Sequence, residues 1–360
     1  MKKTILFLCG GKSEEHEISL VSCKGVLDAL DRDRFQPLVV GISKRGVWHL
    51  EDEKTFFLGE LRADRIRLNE SAPVVTLSPY STLTGSGRLE AEGKVFEFDA
   101  VFPVLHGTFG EDGTMQGLLD IVGVPYVGPG CGSYWICMDK VLAKTLCVQG
   151  GVAVAPFVWV TRENQIDDKM DDIRAMGLPL FVKPACQGSS VGVSRVTSLD
   201  GLSTAVRTAL KHDRKCLIER GIAGREIECA VLGLNGTPRA SMPGEVRPSP
   251  KIGWYSYEAK YLLSDGAEIL IPAPLEPEIR TKIQEFACRV FQLLECDGMA
   301  RIDLFLEHGT GKLFLNEANT IPGFTPISMY PKMWQASGLG YSDLITELIR
   351  LAFLRAGKTI

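Results

Sequence analysis

The chain has 360 residues, 45% of them hydrophobic, and a formal net charge of −4 at pH 7, which is enough apolar material for two or three packed domains. It carries no long basic block, which argues against nucleic acid or an anionic membrane as its main partner. The ten cysteines are scattered without paired metal spacing and read as reduced thiols of a cytoplasmic protein.

Residues 4–8 (TILFL) read as a buried strand. The apolar run is too short for a signal peptide, and no stretch approaches the roughly 20 apolar residues of a membrane span. The loop Gly10-Gly11-Lys12-Ser13-Glu14-Glu15-His16 leads into a helix over 17–30. Gly11-Lys12-Ser13 resembles the end of a P-loop, but Leu6 stands where that motif needs glycine, and no Gly-x-Gly-x-x-Gly occurs here. Glu14, Glu15 and Glu17 would repel a phosphate and suit an ammonium group; alternatively, they only complement the helix dipole. Strands over 37–42 and 46–49 follow, then a weakly patterned peripheral insertion over 51–92. A strand over 96–105 ends at His106, just before the Gly-rich run 107–113 and a helix over 114–122. A strand's carboxyl end is the crevice position of an open α/β sheet. Gly128-Pro129-Gly130 marks a domain boundary.

A helix over 133–149 carries Lys140. Strands are expected over 156–160 and 178–184, with a helix between them. Lys183 sits in an otherwise apolar strand and there needs an anion. The loop 185–192 (ACQGSSVG) could close its N–H groups over phosphates. After a strand over 191–196 and a helix over 199–211, two strands carry Glu219 and Glu226. The polar segment 244–272 centres on Trp254-Tyr255-Ser256-Tyr257-Glu258-Ala259-Lys260-Tyr261, either an active-site lid or a surface-interaction loop.

After a helix over 277–295, runs 301–306 and 312–318 flank a glycine turn and read as a β-hairpin. A turn centred near Thr310 sets Asp303 opposite Glu317, with Arg301 on the face of Asp303 and Asn319 on that of Glu317. Opposed carboxylates repel, and an oxygen-only set of Asp, Glu and Asn suits Mg²⁺ shared with phosphates. The other reading is a solvated strand face that happens to be acidic. An irregular loop, 319–325 (NTIPGFT), leaves the hairpin directly, and a helix over 342–354 closes the chain.

Glu15, His106, the Lys183 strand with its loop, Glu258-Ala259-Lys260-Tyr261, and Arg301-Ile302-Asp303 followed by Asn316-Glu317-Ala318-Asn319-Thr320-Ile321-Pro322-Gly323-Phe324-Thr325 occur here in order. Together they strongly resemble the D-alanine–D-alanine ligases of the ATP-grasp family, from the first strand to the last helix. The resemblance implies an ATP-grasp fold of α/β and α+β class with an N-terminal open parallel α/β domain. The domains expected are 1–130, 131–223 with the phosphate loop, and 224–360 with the lid and hairpin.

By that resemblance Asp303, Glu317 and Asn319 hold two Mg²⁺ ions, with Mn²⁺ as a substitute. Lys140, Lys183 and Lys260 contact ATP phosphates. Glu219 and Glu226 serve adenine and ribose, and Trp254 and Asn319 join the nucleotide site. Glu15 binds the first D-alanine's ammonium, with His106 near it. Glu15, Ser189 and Tyr261 tie N-domain, phosphate loop and lid together. Arg301 and the Gly323 N–H stabilise the oxyanion, and Ser328 and Met329 receive the second substrate's carboxylate. The activity implied is ATP-dependent ligation of two D-alanines through an acyl phosphate, for peptidoglycan precursors, by a cytoplasmic homodimer. Ligation of D-lactate or D-serine is the nearest alternative, and the intact Glu258–Tyr261 lid favours the dipeptide. A non-catalytic ATP sensor is disfavoured by the complete acidic set with Arg301, and a nicotinamide enzyme by the missing fingerprint. Cys186, beside the phosphate loop, is expected to be a reactive thiol near cations.

Overall fold

Continuous apolar runs build the first sheet of the computed structural model, which describes residues 2–78, 86–188, 190–248, 267–325 and 328–359. Strand β1 (Lys3–Gly10) pairs in parallel with β2 (Phe35–Ile42) and with β9 (Ala100–Pro103), and β3 (Trp48–Glu51) adds an antiparallel edge to β2. Helix α1 (His16–Ala29) covers one face of this sheet, so residues Ile5 to Cys9 of β1 are all fully buried. Between β3 and β9 run five short strands, β4 (Phe57–Leu58), β5 (Arg67–Leu68), β6 (Thr76–Leu77), β7 (Gly87–Ala91) and β8 (Lys94–Phe98). They form two small sheets. The insertion is less peripheral than its pattern suggests, because Phe56 and Ile66 are fully buried in the N-terminal core. Helix α2 (Thr114–Val122) follows β9.

The expected helix over 133–149 is two helices, α3 (Cys131–Met138) and α4 (Lys140–Gln149). Asp139 divides them, its carboxylate accepting the Val141 and Leu142 N–H groups at 3.0 and 3.2 Å as an N-cap. A second sheet comprises β10 (Phe157–Val160), β13 (Cys216–Arg220), β11 (Leu180–Pro184) and β12 (Ser194–Val196), in that order and all antiparallel. Helices α5 (Met170–Met176) and α6 (Leu202–Leu210) pack on it.

The third sheet is built around β14 (Gly224–Gly233). Its order is β17 (Ala267–Leu270), β16 (Gly244–Pro248), β14, β18 (Gly298–Glu307) and β19 (Leu313–Asn319), with β15 (Arg239–Ala240) on β14. Helix α7 (Pro277–Leu293) backs it, starting on a proline that loses no helical hydrogen bond at that end. The closing helices α8 (Met329–Ala336) and α9 (Tyr341–Arg355) share the core of the first sheet, so the chain's end packs against its beginning.

Phe324 is the joint of this return. Its ring meets Phe102 edge-on at 6.0 Å and stacks on Tyr341 at 6.5 Å, while its carbonyl accepts the Tyr341 hydroxyl at 2.7 Å. Gly25 of α1 is where that carbonyl passes, since a Cβ there would lie 2.6 Å from it. The loop over 319–325 is thereby held against the carboxyl ends of the first sheet.

Candidate active site

A cavity of about 810 Å³ opens between the second and third sheets. Lys140, Lys183, Glu219, Glu226, Asp303 and Glu317 all line it, which brings together most of the nucleotide and metal residues expected from sequence. Its size is that of a drug-sized ligand site.

The hairpin makes the expected pairings at its acidic end, reached past a register shift between Asp303 and Leu304. Asp303 lies opposite Glu317, and Arg301 opposite Asn319. Glu228 of β14 pairs with Asp303 from the other side, so three carboxylates form a row across adjacent strands. The structure also changes part of the reasoning for a metal, because the row already has protein counter-charges. Arg301 grips Asp303 with two hydrogen bonds of 2.7 Å and lies 3.0 Å from Glu228, while Lys140 is 3.3 Å from Glu317. Burial opposes the Arg301 charge, yet Asp303 and Glu228 hold its pKa well above the ordinary range. Both acids of the hairpin therefore have a protein cation beside them.

The donor set nonetheless fits magnesium. Asp303 and Glu317 are hard oxygen ligands on the same cavity wall. Asn319 donates its amide N–H to Asp303 at 2.9 Å, which directs its NH₂ there and leaves its carbonyl oxygen as the donor for a cation. Among the described residues no three His, Cys, Asp or Glu groups converge as a metal site. Phosphate oxygens and water would have to complete the shell, as is usual for Mg²⁺ in nucleotide sites.

Lysines occupy the cavity's other wall. Lys183 has its anion in Glu219, at 2.5 Å, and also donates to Asn316 Oδ1 at 3.3 Å. Lys140 donates to the Gln187 carbonyl at 2.7 Å, tying α4 to the phosphate loop while its charge faces Glu317. Glu219 is 3% exposed and pairs with two lysines, the second being Lys144 at 3.0 Å. Burial works against its charge, but the two ammonium groups hold the carboxyl down to about 2. Lys183 is raised above its ordinary range by Glu219 despite burial, whereas burial prevails at Lys144 and lowers it.

The crevice of the first sheet lies beside this cavity. A Cβ placed on Gly107 would come within 2.8 Å of Glu15 Oε2, and one on Gly188 within 3.4 Å, so Glu15 stands between the Gly-rich loop and the phosphate loop. Of the neighbouring acids, Glu17 is turned to Lys44 at 2.8 Å. His106 is 5% exposed and its Nε2 meets the Ser22 hydroxyl at 3.0 Å. Burial lowers its pKa, so the imidazole stays neutral. Glu111 accepts the Gly107 N–H at 2.7 Å and the Ile321 N–H at 3.2 Å, joining this crevice to the loop over 319–325. Its burial, with Glu15 nearby, raises its pKa to about 8. Gly323 and Ser328 lie together, a Gly323 Cβ being 2.7 Å from Ser328 Oγ, and Ser328 occupies the residue before α8, whose first residue Met329 is buried.

Ser189, Trp254, Lys260 and Tyr261 lie outside the described residues. Cys186 corrects an expectation. Burial first, then Asp213 and Asp139, push its thiol up to about 12, and its own N–H donates to Asp213 at 2.6 Å, so its surroundings suppress the thiolate. Glu111, Lys144 and Glu228 were not singled out from sequence. Glu228 shares the strand face of Glu226 two residues away, and Lys144 the helix side of Lys140 four residues before it.

Two antiparallel sheets enclosing a cavity with lysines on one wall and an acidic hairpin on the other define the class, an ATP-grasp fold. Residues 4–129 match the D-ala D-ala ligase N-terminus family and residues 146–350 the D-ala D-ala ligase C-terminus family. The chain is 46% identical over 347 residues to D-alanine–D-alanine ligase A of Escherichia coli K12, covering 96% of this chain and 94% of that one. It is 44% identical over 358 residues to the D-alanine–D-alanine ligase of Shouchella clausii, covering 98% and 95%. Among solved structures it resembles the D-alanine–D-alanine ligase from Coxiella burnetii, with a TM-score of 0.83 at 35% identity, covering 99% and 95%. It also resembles the VanG D-Ala:D-Ser ligase from Enterococcus faecalis, with a TM-score of 0.84 at 32% identity, covering 98% and 100%. The chain belongs to the D-alanine–D-alanine ligase family.

Proposed function

We propose that this chain joins two D-alanines into D-alanyl-D-alanine, converting ATP to ADP and phosphate, as a step in making peptidoglycan precursors. The observation that carries this reading is a single cavity lined by Lys140, Lys183, Asp303 and Glu317, beside a crevice holding Glu15 and buried His106. The first substrate's carboxylate oxygen attacks the γ-phosphorus, and the bond to ADP breaks. The second substrate's amine, having lost a proton, attacks the acyl carbon, and phosphate leaves with the bridging oxygen.

This chemistry asks for placement and charge neutralisation more than for a protein nucleophile. Lys140 and Lys183 neutralise phosphate, Glu219 and Glu226 serve the nucleoside, and Glu15 orients the first ammonium. Arg301 and the Gly323 N–H face the oxyanion. The N-terminus of α8, with Ser328 and Met329, takes the second carboxylate. Mg²⁺ (or Mn²⁺), held by Asp303, Glu317 and Asn319, would neutralise the phosphates when bound. Ser189, Trp254, Lys260 and Tyr261 complete the assignment as phosphate-loop and lid contacts. The domain limits 1–130, 131–223 and 224–360, a homodimer, and a cytoplasmic setting belong to the same reading. No helix among the described residues is long and apolar enough to cross a membrane.

The likeness to the VanG D-Ala:D-Ser ligase supports D-serine as an alternative second substrate. Phosphate release from ATP across D- and L-amino acids and hydroxy acids tests both readings. D-alanine alone should sustain turnover. Release that requires D-serine or D-lactate would replace the dipeptide assignment, and release independent of any added acid would remove it.

A further inference from the structure

Lys144 is 1% exposed and does not line the cavity, yet it sits directly behind two groups that do. Its Nζ lies 3.0 Å from Glu219 Oε2 and donates to the Leu315 carbonyl at 3.1 Å. The first partner belongs to β13 of the second sheet, the other to β19 of the third. The other oxygen of Glu219 is 2.5 Å from Lys183. One carboxylate thus faces two ammonium groups, only one of which reaches the cavity.

A buried lysine is costly, and the cost is offset only where the charge has a use or a partner. If Lys183 and Glu219 stood alone they would form a neutral pair, and a phosphate would have to compete with Glu219 for the lysine. With Lys144 behind them the three side chains carry a net charge of +1. We propose that Lys144 is a positioning residue for nucleotide phosphate: by sharing Glu219 with Lys183, it leaves the cavity lysine's charge uncompensated where a polyphosphate lands. The inference rests on the ATP reading of the cavity and adds a residue that never touches the nucleotide.

The test measures the affinities of adenosine, ADP and ATP by calorimetry, with Mg²⁺ and without D-alanine, for wild type and Lys144→Met. Any adenine contact is common to all three ligands and cancels in their ratios. Lys144→Met should weaken ATP by about 10-fold or more, ADP by less, and adenosine by under about 2-fold, because a lost charge is felt in proportion to ligand charge. An equal loss for all three would mean a merely structural role and would overturn the proposal. Wild-type protein that binds none of them would instead overturn the ATP reading beneath it. Should Lys144→Met not fold, Glu219→Gln decides. It keeps both lysines and removes their shared anion, so the preference for ATP over adenosine should rise; an unchanged or reduced preference contradicts the idea.

Discussion

Asp303 faces Glu317 across the β18–β19 ladder, and each carboxylate already has a protein cation, Arg301 for the first and Lys140 for the second. Two like charges at this spacing would destabilise an ordinary hairpin. Here Lys140 lines the cavity together with both acids, while Arg301 holds Asp303 from the neighbouring position on β18, so the pairs that support the hairpin also set the charge of the cavity. All four groups are at most about a quarter exposed, which limits the screening of their fields.

Glu317→Gln should therefore fold normally and fail in turnover. It removes one ligand charge while leaving volume and the Asp303–Arg301 pair in place. Phosphate release in the presence of D-alanine should fall by at least about 100-fold, the scale of losing a few kcal/mol of charge stabilisation. Release close to wild type with unchanged Mg²⁺ dependence would remove Glu317 from the metal set.

Gly25→Ala sets two effects against each other. Alanine in a helix interior is worth about 1 kcal/mol over glycine. The new Cβ, however, would sit 2.6 Å from the Phe324 carbonyl, a backbone atom held by Tyr341. Overpacking of this kind costs about 1–3 kcal/mol and should win. Urea denaturation should show a net loss, accompanied by slower turnover because the loop over 319–325 shifts. A gain in stability would show that Phe324 can yield.

Much of this was legible from sequence, and what was not has physical causes. The hairpin and its alternation were legible from a period of two around a glycine turn, but the Asp303–Glu317 pairing also depends on a register shift between Asp303 and Leu304, which the pattern does not show. The break at Asp139 was missed in the single helix expected over 133–149, because an aspartate inside an apolar-periodic run serves as an N-cap only where the backbone turns out of the helix. Glu228 enters the acidic row only through the register of β14 against β18, and nothing near either strand encodes that long-range pairing. Lys144 lies one turn after Lys140, so helical spacing set both on one side of α4 but could not say that Glu219 would receive it. Phe56 and Ile66 belong to short apolar pieces set among charged residues, Phe56-Phe57-Leu58 and Ile66 with Leu68, too short for a period to show which of them is buried. The expectation for Cys186 failed because its burial, and after it the approach of Asp213 and Asp139, are set by the tertiary fold.

Cys186 should accordingly be unreactive. A thiol with a pKa of about 12 is about 0.01% thiolate at pH 8, against roughly a quarter for an ordinary thiol of pKa 8.5. Iodoacetamide at pH 8 should leave Cys186 unmodified in the folded protein on a timescale that labels free cysteine, as read by peptide mass spectrometry. Rapid labelling there would contradict the assigned surroundings.

Glu51 provides a pH signature. It is 6% exposed, neither carboxylate oxygen has a hydrogen-bond partner, and burial alone raises its pKa to about 8. The folded state thus holds this proton more tightly than the unfolded chain, whose carboxyl titrates near 4.5. Its contribution to stability is complete below that value and is lost as pH rises through about 8. Between these limits the loss is on the order of a few kcal/mol, at 1.36 kcal/mol per pKa unit. Glu51→Gln should flatten the fall in stability between pH 5 and pH 9 in denaturant titrations. An identical pH dependence in wild type and variant would exclude Glu51 as its source.

The central claim is that a substrate carboxylate is activated by ATP in the cavity between Lys183 and Asp303. Turnover with D-alanine carrying ¹⁸O in its carboxylate tests it most directly, by mass analysis of the released phosphate. The account predicts one ¹⁸O atom transferred to each phosphate. Phosphate free of the label, formed at the same rate as dipeptide, would contradict it.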